Sequence, residues 1–246
     1  GLEEIIDKLL TKESELQGFQ DSVEVYFVYV FNQLNTLLEG VAAVSRHEPK
    51  LPGLVIPEFE LEDRVITALM HVLYEKSPRE EGHSRRVSQL CFAIGAELGM
   101  EHDDRIELAK VGLLHDIGKI SIPSEILNKS QPLLPWEWKE IHGHPINGHR
   151  FLSAVVGMAE IAEATLAHHE RMDGTGYPYG RRGQQIPFMA RIVAVADAYD
   201  AMVSARPYRH AYSHSQALQE LQRGAGKQFD AQVVKAFTGL ACREIA

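Results

Sequence analysis

The sequence predicts an all-α protein, and three observations carry that prediction. Apolar residues recur every three or four positions along most of the chain. Clusters of proline and glycine fall between those periodic stretches and read as linkers and loops. Only one segment, Val23 to Phe31, has the β-branched and aromatic composition of a strand.

Taken in order, residues 2–44 carry a seven-residue repeat. Leu2, Leu9, Leu16, Val23, Val30, Leu37 and Val44 are all apolar, and Ile6, Phe27, Leu34 and Val41 add a second apolar position four residues on. Such a seam suits a helix pair or coiled coil. It runs unbroken through the strand-like segment, which favours helix there too. Pro49, Pro52, Gly53 and Pro57 then mark a linker. The expected organisation is a helical region with linker over 1–58 and a second domain over 59–246.

Within the second domain, Leu61, Val65, Leu69 and Leu73 share a helical face, as do His83, Val87, Leu90, Ile94 and Leu98. A third stripe is Ile106, Ala109, Leu113 and Ile117, with Gly118 expected to end that helix. A fourth helix is expected from Pro145, since proline suits a first turn, and a fifth over 158–170. A sixth covers 188–204, and shorter ones lie near 215–222 and 231–237. Between the fifth and sixth lies the glycine-rich loop "DGTGYPYGRRGQQIP", whose Gly174 and Gly176 read as turn residues that tolerate positive φ.

With 246 residues, 45% hydrophobic and 24% charged, the composition is that of a globular protein. The formal net charge of −9 argues against a general affinity for nucleic acid polymers or anionic membranes. From Arg171 to Arg209, however, six arginines face three aspartates with no lysine or glutamate, which suits a small anionic ligand. Two distant cysteines, Cys91 and Cys242, form no disulfide framework and fit a reducing, cytoplasmic compartment. The strongly apolar run "VYFVYVF" is too short to span a bilayer. The chain opens at Gly1 directly into helical pattern, as a fragment lacking an upstream sensor or receiver domain would.

The chemistry lies in the polar residues on apolar helices. His83 shares a stripe with Val87 and Leu90. His115 and Asp116 end one buried helix, His168 and His169 end another, and His144 precedes Pro145. Asp197 lies within "RIVAVADAYDAM". A buried polar group costs about 1–3 kcal/mol if unpaired, and a buried charge costs more. Five histidines and two aspartates are too many for backbone carbonyls to satisfy. They are the usual ligands of transition metals, too numerous for one ion and suited to two ions sharing a carboxylate. Close metal pairs serve in-line phosphoryl chemistry.

The motifs "HSRRV" (83–87), "HDIGK" (115–119), "HPING" (144–148), "HHERMDGTGYP" (168–178), "DAYDA" (197–201), "RPYR" (206–209) and "GKQFDAQVV" (226–234) occur in this order. Together they resemble the HD-GYP branch of the HD-domain phosphohydrolases over roughly residues 60–240. The resemblance implies an HD-domain helical bundle extended by the G-Y-P loop and C-terminal helices. It also implies metal-dependent hydrolysis of a cyclic dinucleotide, chiefly cyclic di-GMP, to a linear dinucleotide or mononucleotides in bacterial signalling. Carried over by position, His83, His115, Asp116, His144, His168, His169 and Asp197 hold two divalent ions, with Asp116 as the bridge and iron favoured over manganese. Lys119, with His115 and Asp116, serves catalysis by facing the scissile phosphate, and Gly176, Tyr177, Arg206 and Arg209 contact the ligand. Arg181 and Arg182 read as a solvated surface pair. Some members carry a glutamate four residues before the first histidine, which supplies a third metal; here that position is Arg79, so two ions are expected. Two rivals stand beside this reading: an HD enzyme acting on another nucleotide, and a catalytically weak binding module. Homodimerisation through the N-terminal helices completes the expectations.

Overall fold

The computed structural model describes residues 61–204 and 211–244. The seven-residue repeat, the linker with the boundary expected at 58/59, Arg206 and Arg209 lie outside the described residues. By contact the chain divides into two compact units after Ala68. Among the described residues the elements are helical: α1 (Leu61–Lys76), α2 (Pro78–Glu97), α3 (His102–Leu114), a 3-10 turn (Ile117–Ser121), α4 (Ser124–Leu127) and α5 (Pro135–His142) come first. They are followed by α6 (His144–Ser153), α7 (Ala159–Ala167), a second 3-10 turn (Gly183–Gln185), α8 (Phe188–Val203), α9 (His214–Gly224) and α10 (Ala231–Glu244). No β-strand occurs among them; one isolated bridge joins Ala225 to Phe229.

The second unit is organised around α8, which packs against α2, α3, α7, α9 and α10. Its sequence explains the position: Ala190, Ile192, Val193, Val195 and Ala196 are all fully buried, so α8 is apolar around most of its circumference. A charged residue in such a helix is costly unless it is paired, and Asp197 is there. Helix α2 presents Val87, Cys91 and Ile94 to the core at helical spacing. Burying each large side chain of this kind stabilises the fold by roughly 1.5–3 kcal/mol.

The α3 stripe differs from the one expected. The buried residues are Leu108, Val111, Gly112 and Leu114, while Ile106, Ala109 and Leu113 are only partly covered. A glycine does not register as apolar, yet Gly112 lies on the buried side. Helix α3 also stops at Leu114, before Gly118. Gly118 is instead a point of close approach: a Cβ there would lie 2.0 Å from the His144 carbonyl oxygen and 2.4 Å from the Gly148 nitrogen. Its missing side chain lets the backbone after Asp116 press directly on α6, which carries His144.

Helices α4 and α5 were not expected from the sequence. In α5, Pro135 occupies the first turn, and Glu137 accepts a hydrogen bond from the Leu134 amide at 2.7 Å, capping the start. Lys129 pairs with the same carboxylate at 2.6 Å, tying the preceding loop down. Helix α7 ends at Ala167, so His168 and His169 project from the turn just beyond it.

Candidate metal centre

All seven histidines and aspartates singled out in the sequence converge in two adjoining groups. His83, His115 and Asp197 form one; Asp116, His144, His168 and His169 form the other. Within each group one ligand atom per residue lies within 4.8 Å of the rest. Asp116 joins them. Its Oδ2 lies 3.1 Å from His115 Nε2 and 3.6 Å from His83 Nε2, and its Oδ1 lies 3.1 Å from His144 Nε2 and 4.0 Å from His168 Nε2. One carboxylate oxygen therefore addresses each group.

Four of the rings are aimed by hydrogen bonds at their far nitrogen. His115 Nδ1–H donates to the Gly112 carbonyl at 2.8 Å, His144 Nδ1–H to Ile141 at 2.6 Å and His168 Nδ1–H to Thr165. Each acceptor is three residues upstream, so a histidine at or just past a helix end finds a carbonyl of its own last turn. His83 Nδ1–H donates to the Asp200 carboxylate at 2.8 Å. These bonds fix the tautomer and leave the Nε2 lone pairs pointing inward. His83 and His115 bring theirs to 3.3 Å, and His144 and His168 to 3.2 Å, beside anionic oxygens. Lone pairs facing lone pairs and carboxylates repel unless a cation lies between them. The donor set therefore fits metal ions.

The titration behaviour agrees. Burial pushes the His83 imidazole down, but hydrogen bonds to Asp116, Asp197 and Asp200 outweigh it and raise it to about 11. This corner attracts positive charge. Burial and then the neighbouring His144 depress His169 to about 3, and burial with the surrounding rings holds His168 well below its ordinary range. Those two rings stay neutral, as ligands must. Burial opposes ionisation of Asp116, but His115 and Lys119 hold its carboxyl well below the usual range.

Two residues that the sequence reading did not assign support this centre. Asp200, 2% exposed, accepts from His83 and also from Arg86, whose Nε and Nη2 reach its two oxygens at 2.5 and 3.0 Å. The signal was its place one helical turn after Asp197. Glu80, one turn before His83, is buried and takes Lys119 Nζ at 3.0 Å; the same amine is 2.6 Å from Asp116 Oδ2. Lys119 thus bridges two carboxylates at the edge of the centre. Arg79, where a third-metal glutamate occurs in some relatives, instead pairs with Glu80 at 3.3 Å and donates to the Leu127 carbonyl at 2.7 Å.

The G-Y-P loop lies against the same histidines. Tyr177 is sandwiched between His142, with ring centres 4.3 Å apart, and His169 at 4.7 Å. Gly174 has the positive φ expected of it, at 78°, but Gly176 does not. A Cβ on Gly176 would lie 2.5–2.6 Å from the backbone of 169–171, so this glycine allows the loop to close on the histidine pair. The loop is also tied to "GKQF": Asp173 N donates to Lys227 O at 2.8 Å, and Met172 N to Gln228 O at 3.3 Å. His149 and Arg181 both pair with Glu163, at 3.2 and 3.0 Å, which takes Arg181 out of the expected surface pair and leaves Arg182 exposed.

A fold of packed helices around a two-group histidine–aspartate cluster defines a class, and comparison with known proteins gives it a name. The family model described as the HD domain matches residues 67–233, and the chain belongs to that family. Among curated proteins, a cyclic di-GMP phosphodiesterase of Thermotoga maritima is 41% identical over 162 residues, covering 64% of this chain and 44% of its own. A 3′3′-cGAMP-specific phosphodiesterase of Vibrio cholerae is 38% identical over 154 residues, covering 63% of this chain and 34% of its own. The chain thus spans less than half the length of these relatives. Among solved structures, the HDG"Y"P protein Bd1817 of Bdellovibrio bacteriovorus shares the fold at a TM-score of 0.54 and 21% identity, over 73% of this chain and 59% of its own. The PgpH HD domain of L. monocytogenes, solved with cyclic di-AMP, gives 0.53 at 17%, over 72% of this chain and 94% of its own.

Proposed function

We propose that residues 59–246 form a metal-dependent phosphodiesterase that opens a cyclic dinucleotide, cyclic di-GMP above all, to the linear dinucleotide, GMP or both. The observation that carries this reading is the division of Asp116 between two ligand groups, the arrangement a two-ion centre requires. His83, His115 and Asp197 would hold one ion, and His144, His168 and His169 the other, with Asp116 shared; iron is favoured and manganese is the alternative. When bound, such ions withdraw charge from a phosphodiester and bring the pKa of water toward neutrality.

The residues of the chain do the rest. The Nδ1 hydrogen bonds keep the imidazoles aimed, so no reorganisation is needed as charge develops. Lys119 keeps its proton because Asp116 and Glu80 outweigh its burial, and its ammonium can neutralise the non-bridging phosphate oxygens during in-line departure of the 3′ oxygen. Arg206 and Arg209 would supply cations for the phosphates, and Gly176 and Tyr177 would line the ligand's approach. Residues 2–44 would form a helical signalling region that self-associates through its apolar seam and couples to a sensor or receiver domain. The two cysteines and the signalling role favour the cytoplasm. Among the described residues, no helix is long and apolar enough to cross a membrane.

The test is anaerobic reconstitution with iron or manganese, followed by chromatography of the products from cyclic di-GMP, the mixed GMP–AMP ring and a nucleoside triphosphate. Linear dinucleotide from a cyclic substrate supports the proposal. Turnover of the triphosphate alone would overturn it.

A further inference from the structure

Both tryptophans of the chain lie on one short helix, α5, beside the centre. Both are unusually open for such large apolar side chains: Trp136 is 58% exposed and Trp138 48%. A scattered surface aromatic needs no explanation, but these two are not scattered. The Trp138 ring is 5.6 Å from His142, His142 stacks on Tyr177 at 4.3 Å and an interplanar angle of 28°, and Tyr177 lies 4.7 Å from His169. A continuous series of rings thus leads from solvent to a residue of the histidine–aspartate cluster.

The series does not contribute to the core in the ordinary way. His142 is exposed, and the Trp138 ring beside it is tilted at 48° and does not stack on it. Core aromatics gain their stability by being enclosed. Rings left half open beside a phosphodiester site are instead free to accept a flat partner. Flat aromatic faces suit the base of a nucleotide and leave the phosphate to the cations.

We infer that Trp138 and His142, with Tyr177 behind them, form a stacking platform for a purine base of the ligand, a specificity surface next to the reacting phosphate. This rests on the cyclic-dinucleotide reading above and adds to it the residues that sense the base. Base–aromatic stacking of this kind changes affinity about 5- to 150-fold per ring removed.

Because the chain has no other tryptophan, its emission reports on α5 alone. The experiment uses the full chain carrying Trp136→Phe, so that Trp138 is the sole emitter, titrated with GMP and, separately, with ribose 5-phosphate. The platform predicts saturable quenching by GMP and none by ribose 5-phosphate, which has the same phosphate and no base. Equal responses to both, or no response to GMP, would overturn the inference. Kinetics on cyclic di-GMP give the second measurement. Trp138→Ala should raise KM about 5- to 150-fold with kcat within twofold, and Trp138→Phe should restore KM to within about threefold. A KM unchanged in Trp138→Ala overturns the platform. Absence of turnover in the unmutated chain overturns the function and leaves the GMP titration to decide the platform.

Discussion

Replacing Asp200 by alanine should weaken one half of the centre without touching any proposed metal ligand. Asp200 holds the Nδ1 proton of His83 at 2.8 Å and takes both nitrogens of the Arg86 fork. Without that carboxylate the His83 ring can rotate, and its Nε2 loses the electron density that an anionic partner supplies. Losing such an outer partner typically lowers metal affinity 10- to 100-fold, or about 1.4–2.7 kcal/mol. Stability should fall less, by about 1 kcal/mol, because the Arg86 side chain is 49% exposed and its lost partner is replaced by water. Competition against a chromogenic chelator measures the affinity, and thermal melting of the metal-free protein measures the stability. Two companions separate the effects. Asp200→Asn keeps an acceptor for His83 and should lose no more than a few-fold in affinity. Arg86→Ala leaves the His83–Asp200 bond in place and should lower stability while the metal affinity stays near that of the unmutated chain. If Asp200→Ala binds metal as tightly as the parent chain, the assignment of His83 as a ligand aimed by Asp200 is wrong.

Three further outcomes follow from the geometry. Gly118→Ala places a methyl group 2.0 Å from the His144 carbonyl oxygen, so α6 must shift; melting should show a loss of at least 1–3 kcal/mol, and metal binding should weaken as His144 moves. Cys91 is fully buried, and that burial holds its thiol above its ordinary value, so the folded chain keeps it neutral while the unfolded chain ionises it above about pH 8.5. Its contribution is complete below that pH and is lost as pH rises toward the folded value, by up to about 1.4 kcal/mol per unit; denaturant titrations from pH 8 to 10 should fall less steeply for Cys91→Ala than for the parent. Removing metal by chelation should lower the melting temperature by about 5–10 °C, as expected for a ligand present near a hundredfold its Kd, and an unchanged melting temperature would count against a centre that needs a cation to relieve its facing lone pairs.

The histidines and aspartates could be read from the sequence because each stands out against an apolar helix or at a helix end, where a polar residue has no other reason to be. Their supports could not be read as easily. Asp200 and Glu80 look like ordinary helix charges until the fold turns them toward His83 and Lys119. Helix α3 shows a shifted register in its apolar pattern, because Gly112 faces the core without being apolar and Leu113 is apolar without being fully covered. Helix α5 has no apolar stripe to announce it, because its tryptophans are half exposed, although Pro135 carries the same first-turn signal as Pro145. In the sequence Gly118 reads as a helix end and Gly176 as a turn former. Their actual role, a close approach of two backbones distant in sequence, depends on a partner that local sequence does not name.

Metal stoichiometry on anaerobically purified protein tests the central claim most directly. The two-group centre predicts two ions per chain in the parent, and less than one in Asp116→Ala, since both groups share that carboxylate. Three tightly bound ions in the parent, or two retained after Asp116 is removed, would contradict it.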